Sequence, residues 1–390
     1  MNEKQYDVLI VGGGIMGSSV AYHLMNFDPR LKLAVVERDP TYQNASTALS
    51  MGGVRVQFSL KENILISLYT LKVLEKFGEE MAVGDSIPDV TFRREGYLFL
   101  IDPAGEKSAR SSLALQKKLG GQVEWWTLPE IKQHHPLINP SAFAGGTFGS
   151  ADGYLDPYNF LMAYKTKAQS LGARFLNSEV VSFQGSKRKI SGVKIASGET
   201  LNSNAVVNAA GAWSPALART VGVVLPVEPV KRQVFVFDPA VTPEKPLPLV
   251  ICPSGFFFRS ETGGLVLAGR SFENDQVGFN FDYDRNRFED VLWPELVEYA
   301  PAFEKLKLVR GWAGLYDVNR LDGNAILGEW PELEGFYIIG GFSGHGLMQS
   351  PAAGRYVAEL ILGKTPSLDL GIFSPARILE RRPLAEKGLV

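Results

Sequence analysis

Three glycines, Gly12, Gly14 and Gly17, stand in the run DVLIVGGGIMGSSVAYHLMNFDPRLKLAVVERD, and an acidic residue, Glu37, follows about 20 positions after the last of them. This spacing suits the pyrophosphate of a dinucleotide. Gly12 permits a tight turn, Gly14 lets backbone approach the phosphates, Gly17 lets the next helix pack closely on the strand, and that helix offers its free N–H groups. The Glu37 carboxylate can accept hydrogen bonds from both ribose hydroxyls and repels a 2′-phosphate, which points to FAD or NAD rather than NADP. Alone, the glycine pattern is weak, and its plain alternative is a turn that binds nothing. Here a strand precedes it, a helix follows it and an acidic residue ends the next strand. In AVVNAAGAWSP, Ala209, Ala210 and Gly211 close a second apolar strand, so backbone can again come near a ligand. No spacing of His, Cys and acidic residues makes a metal site, and no Ser, His and Asp arrangement makes a nucleophile. His23 reads as a packed or solvated helix residue, and His134 and His135, which precede a proline, read as loop.

These residues need elements to hold them, and the first 39 residues supply a strand, a helix and a strand. A polar, Gly-rich loop over 43–53 leads to KENILISLYTLKVLEKF, where Ile64, Leu68, Leu71 and Phe77 recur at helical spacing. Residues 96–135 read as an inserted piece with a strand over 97–101 and a charged helix over 106–119. A helix over 158–171, short strands over 180–183 and 193–196, and a buried parallel strand over 205–209 follow. Residues 227–306 alternate as QVFVFD, GFFFRS and GLVLAGR before a helix, the pattern of an antiparallel sheet. Then GFYIIGGFSGHGLMQSPAAGRYVAELILG gives one more strand, Gly-rich turn and helix. With no repeat or flexible linker, two domains must be interleaved rather than strung end to end.

At 390 residues, 45% hydrophobic and 21% charged, the chain has room for two ordinary globular domains. A formal net charge of −2 argues against nucleic acid. The single cysteine, Cys252, leaves no intrachain disulfide and fits a reducing compartment. The first strand begins within about six residues, too soon for a signal or transit peptide, so the expectation is a cytoplasmic protein. No run of 18 apolar residues is present, so any membrane association is expected to be peripheral.

Taken in order, VGGGIMG with Glu37, ASTALSMGGVR, VVNAAGAWSP, GWAGLYDVNRLDGNAILG and GGFSGHGLMQSPAAG resemble the FAD-dependent amine oxidoreductases of the D-amino-acid oxidase superfamily. That superfamily includes glycine oxidase, sarcosine oxidases and dimethylglycine dehydrogenase. Within it, CPSGFFFR, WAGLYD and GFSGHGLMQSP look similar to the branch of mitochondrial FAD-dependent oxidoreductase-domain proteins linked to complex I assembly and their bacterial relatives. The resemblance implies an α/β fold in which a Rossmann-type FAD-binding domain, 1–84, 150–225 and 307–390, is interleaved with an α+β substrate domain, 85–149 and 226–306, built on a mostly antiparallel sheet. It implies non-covalent FAD touched by Gly12, Gly14, Ile15, Met16, Gly17, Glu37, Arg38, Ser46, Thr47, Gly52, Gly53, Val180, Ala210 and Gly211. Gly314, Gly341, Gly344, His345, Gly346, Leu347 and Met348 complete that set, the last five at a turn whose helix N-terminus can face the flavin ring.

The reaction implied is oxidation of the C–N bond of a small N-substituted amino acid, sarcosine-, dimethylglycine- or iminodiacetate-like, by hydride transfer to flavin N5. Arg55 occupies a position similar to the arginine that binds substrate carboxylate in sarcosine oxidases, and a guanidinium offers a two-pronged fork for that group. His345 stands where the family has a histidine near the ring. Met348 replaces a second carboxylate-binding lysine and Tyr316 replaces an arginine of glycine oxidase, which makes Tyr316, Arg270 and Gln349 the substitutes to examine. Phe256 to Phe258 either line the pocket or serve only as core. Leu49, Ala313 and Gly314 stand near positions where relatives attach flavin covalently, and none is a nucleophile. Val266 stands where monomeric sarcosine oxidases have a lysine that speeds reaction with oxygen, which points to a quinone or protein electron acceptor. The alternatives are a 2-hydroxy-acid or glycerol-phosphate dehydrogenase, and a flavin-binding assembly factor without turnover.

Overall fold

The computed structural model describes residues 4–387; the outermost three residues of the first and last assigned segments lie outside them. The apolar runs VLIV and LAVVE become the strands Val8–Val11 and Leu33–Glu37 at the centre of a six-stranded sheet. Strand order is Ile326–Glu329, Phe336–Gly340, Val206–Asn208, Val8–Val11, Leu33–Glu37, Arg174–Asn177. All pairs are parallel except the first. Both faces are covered, which is why Val8–Val11 and all but the last position of Leu33–Glu37 are apolar. Val8, Ile10, Leu33 and Val35 pack against helices, and Leu9, Val11, Ala34 and Val36 pack against the antiparallel strands Val180–Gly185 and Ile190–Ile195.

The helix layer consists of Ile15–Phe27, Pro157–Ser170 and Gly346–Ile361, with Lys61–Glu75 packed on the last. Ile15–Phe27 and Gly346–Ile361 meet through small residues: a Cβ on Gly354 would lie 2.2 Å from Ser19 Oγ, which donates to the Ser350 carbonyl at 2.8 Å. Pro351 inside the second of these helices supplies no N–H for the Leu347 carbonyl. Ser350 Oγ donates to that carbonyl instead at 2.9 Å, and buried His23 places Nε2 3.1 Å from the Pro351 carbonyl. His23 is thus a packing residue.

The second sheet has eight strands, in the order Lys307–Asn319, Val227–Asp238, Val266–Arg270, Phe256–Ser260, Leu249–Ile251, Tyr97–Ile101, Gly145–Gly149, Val123–Trp126. Only Leu249–Ile251 and Tyr97–Ile101 run parallel. One face, with Phe235, Phe237, Phe256, Phe258 and Val266, packs on the helix Trp293–Tyr299 and its neighbours. The strand Lys307–Asn319, which the sequence partition put with the nucleotide part, pairs along its length with Val227–Asp238 and so belongs to this sheet. The segment TLPEIKQHHP is not all loop. A Thr127–Glu130 capping box starts the helix Leu128–His134, so His134 ends a helix, where its ring stacks on Trp126, and His135 is buried beyond it. Among the described residues no helix is long and apolar enough to cross a membrane.

Candidate active site

The glycine turn is built as its spacing requires. Gly12 has φ +98°, and a Cβ there would lie 2.5 Å from the Ala209 carbonyl oxygen of the neighbouring parallel strand. A Cβ on Gly17 would lie 1.9 Å from the Gly12 carbonyl oxygen, so this glycine sets helix against strand and does not line the cleft. At Gly14 the only nearby atom is Thr47 Oγ1 at 3.4 Å, which leaves the backbone open to a ligand. Thr47 Oγ1 accepts the Ile15 N–H at 3.2 Å, and Glu37 accepts the N–H groups of Gly13 at 2.7 Å and Asp39 at 2.8 Å. Among the described residues the buried hydroxyl of Tyr42 beside this turn has no partner. Further along, the Arg38 guanidinium stacks 3.9 Å from the centre of the Trp213 ring.

From the turn a cleft of about 810 Å3 runs beneath the eight-stranded sheet. It brings together Gly12, Gly14, Ile15, Met16, Glu37, Arg38, Ser46, Thr47, Gly53, Val180, Ala210, Gly211, Gly314, Gly344, His345, Gly346, Leu347 and Met348. Gly52 and Gly341 stay outside its lining. Gly52, at φ +76°, abuts the Leu155 carbonyl, and Gly341, at φ +72°, donates its N–H to Asp317 Oδ2 at 2.6 Å. Leu49 lines the cleft under Trp312, whose Nε1 donates to the Leu49 carbonyl at 3.0 Å.

Strand parity decides what hangs from the roof. Val234, Leu249, Ile251, Phe257, Tyr97 and Trp312 share one apolar cluster and line the cleft. Phe257 therefore faces the site, while Phe256 and Phe258 point into the core behind it. The same alternation corrects two expectations. Arg270 borders the cleft, but its side chain leaves from the far face, where Nη1 donates to Glu295 at 2.8 Å and Nε to the Ser254 carbonyl at 3.1 Å. Val266 is fully buried in the far-face cluster, so it says nothing about an electron acceptor at the cleft. Gln349 also turns away, donating to Asn63 at 3.1 Å among the helices.

Arg55 and His345 meet at the inner end. Arg55 is 3% exposed, lies 3.9 Å from the centre of the Phe58 ring and donates Nη1 to the Gln57 carbonyl. Burial pulls its pKa down, but an arginine keeps its charge. Asp152 pins this segment by accepting the Val56 N–H at 3.0 Å and Gln57 Nε2 at 3.1 Å; burial lifts its carboxyl to about 6. The buried His345 ring, edge-on to Phe58, has Nδ1 3.2 Å from the Phe342 carbonyl; burial and then the Arg55 charge push its pKa down to about 3. It is neutral at pH 7. With Nδ1–H donating, Nε2 is left as an acceptor. Tyr316 packs against the turn so tightly that a Cβ on Gly344 would lie 2.3 Å from its ring. Asp317 holds the same turn through the N–H groups of Gly341 and Phe342, and burial raises its carboxyl to about 6.

Sequence reading missed Asp152, Asp317, Tyr97, Trp312 and Arg232. Arg232 left only a weak signal, since its strand, VEPVKRQVFVFD, carries other charged residues as well. Among the described residues no group of three or more His, Cys, Asp or Glu side chains is placed to hold a metal.

The open backbone at Gly14, the Glu37 carboxylate and the length of the cleft fit a dinucleotide, and comparison with known proteins agrees. The sequence profile of the family described as FAD dependent oxidoreductase matches residues 7–360. FAD-dependent oxidoreductase domain-containing protein 1 of Xenopus laevis is 38% identical, over 99% of this chain and 85% of that protein. Glycine oxidase of Geobacillus kaustophilus is 27% identical over 96% of this chain and 97% of its own. Among solved structures, L-proline dehydrogenase from P. horikoshii superposes with a TM-score of 0.87 at 29% identity, covering 98% of this chain and 100% of that one.

Proposed function

This chain belongs to the family of FAD-dependent oxidoreductases, and we propose that it oxidises the C–N bond of a small N-substituted amino acid held by its carboxylate on Arg55. The sarcosine, dimethylglycine and iminodiacetate kinds are the class to test. One observation carries the reading: a guanidinium buried at 3% exposure lines the cleft next to a neutral histidine, under an aromatic and aliphatic roof. Names among the similar proteins, glycine oxidase and L-proline dehydrogenase, point to the same bond class.

When bound, FAD supplies the two-electron acceptor. The turn at Gly12 and Gly14 with the helix Ile15–Phe27 would hold its pyrophosphate, and Glu37 its ribose. At the other end, the N–H groups of Gly346, Leu347 and Met348 have no acceptor within their own helix and offer positive charge to the cleft. Arg55 fixes the substrate carboxylate, and hence where the carbon bearing the reacting hydrogen can lie. Neutral His345 adds no positive charge, so it favours an unprotonated substrate amine, and its Nε2 can accept an N–H from that amine. Phe257, Val234, Ile251 and Trp312 exclude water above.

The test is anaerobic mixing of the holoenzyme with sarcosine, N,N-dimethylglycine, iminodiacetate, a 2-hydroxy acid and glycerol phosphate. Bleaching of the flavin band by an amine, at a rate that falls in Arg55→Met, supports the proposal. Bleaching by the hydroxy compounds alone, or by none of the five, refutes it.

A further inference from the structure

On the roof of the cleft Arg232 carries a charge that is incompletely balanced. On the strand Val227–Asp238, Arg232 shares parity with Val234, which faces the cleft, and it sits opposite Gly314, which contributes no side chain. Its Nη1 reaches Asp275 Oδ2 at 2.6 Å, but the same carboxylate is claimed through Oδ1 by Arg287, also at 2.6 Å. Two guanidinium groups, on side chains 18% and 20% exposed, thus share one carboxylate whose side chain is 1% exposed, which leaves positive charge in excess of that carboxylate. Among the described residues Arg232 Nε is buried with no partner. The guanidinium lies 5.3 Å from the centre of the Tyr316 ring, and the Tyr316 hydroxyl feels both this charge and that of Arg55. Tyr97, 2% exposed, lines the same cleft.

We propose that Arg232 is a second carboxylate-binding residue, so that the substrate is an amine bearing two carboxylates, one on Arg55 and the other on Arg232. This rests on the reading of Arg55 as the first anchor. A roof otherwise aliphatic and aromatic would suit a one-carboxylate amine without any guanidinium. Excess positive charge lining the same cleft as that anchor suits a dianion, and Tyr97 and Tyr316, which also line it, supply hydroxyl donors.

Carboxylates that cannot be oxidised test it by binding alone. The FAD-loaded protein is titrated with methylthioacetate, which has one carboxylate, and with thiodiacetate, which has two, following both the flavin spectrum and heat by calorimetry. Thiodiacetate is expected to bind about 10- to 100-fold more tightly. Arg232→Met should abolish that advantage and leave methylthioacetate unchanged, whereas Arg232→Lys, which keeps the charge and guards against loss of folding in the Met variant, should retain part of it. Equal affinity of the two ligands, with methylthioacetate binding still dependent on Arg55, overturns this proposal alone. An advantage for thiodiacetate that survives Arg232→Met also overturns it. Failure of both ligands to bind overturns the Arg55 reading and this proposal together.

Discussion

Arg55 is held by a carbonyl, two aromatic rings and a segment that Asp152 ties down, so its charge is positioned before any ligand arrives. Replacing it with methionine removes a charge-assisted pair in a dry site, worth about 1.5–3 kcal/mol, and should weaken substrate binding at least tenfold. FAD content of the purified variant should stay at the wild-type level; a parallel loss of flavin would mean that Arg55 holds the cofactor region instead. Neither Leu49, which is aliphatic, nor Gly314, which bears no side chain, offers an atom for covalent attachment of flavin, and Cys252 is buried in the far-face cluster with its thiol pKa raised by burial. Acid precipitation should therefore leave intact FAD in the supernatant, and yellow pellets would contradict this. The glycines and Glu37 were legible from sequence because their task is local, a backbone angle or a distance across adjacent strands. Arg270 and Val266 were misplaced because on a strand a neighbouring position faces the opposite side, and no local pattern fixed the parity of GLVLAGR.

Elements are joined here by partners that come from far along the chain. The helix Lys61–Glu75 has Leu60 at its N-cap and no local capping side chain. Glu386 takes that place, accepting the N–H groups of Ser59 at 2.8 Å and Leu60 at 2.9 Å, and Asn63 Nδ2 at 2.9 Å. Sequence reading found the helix by its spacing, but a cap some 320 positions away leaves no local trace. Glu386→Ala should lower stability by about 1–2 kcal/mol, read as a shifted denaturation midpoint with an unchanged slope. An unshifted midpoint would mean that water replaces the cap without loss. The turn before Gly346–Ile361 is less tolerant. Gly344 has φ +101° and its missing Cβ is occupied by the Tyr316 ring, so Gly344→Ala should displace the ring and cost about 1–3 kcal/mol. The visible spectrum of bound flavin should shift with it, and an unaltered spectrum would show that the turn adapts without moving Tyr316.

Across the whole molecule, five buried titratable groups set a pH dependence with a definite sign. His23 and His345 are pushed down to about 3 and His135 to about 4, so from pH 6.5 downward the unfolded chain gains protons that the folded one refuses. That destabilises as pH falls. Asp152 and Asp317, raised to about 6 from 3.8, work in the opposite direction, since the folded state holds their protons between about pH 4 and 6. Three groups outweigh two, and stability at saturating FAD should rise from pH 5 to pH 7 by on the order of 2 kcal/mol. A flat or falling trend in denaturant midpoints would show that the aspartates dominate.

The central strand Val8–Val11 has one neighbour close in sequence, Leu33–Glu37, and another, Val206–Asn208, that arrives nearly two hundred residues later. The wall against Gly12 is Ala209, and the far end of the cleft is the turn at Gly344 to Met348. A nascent chain that has made only its glycine turn owns the motif but not the site. If the proposed site holds FAD, the cofactor is expected to be captured only after Met348 has emerged and the late strands have slotted beside the first, and so not to template the early steps of folding during synthesis. Until then the half-built parallel sheet exposes an apolar edge, the stage at which this chain is most in need of a chaperone.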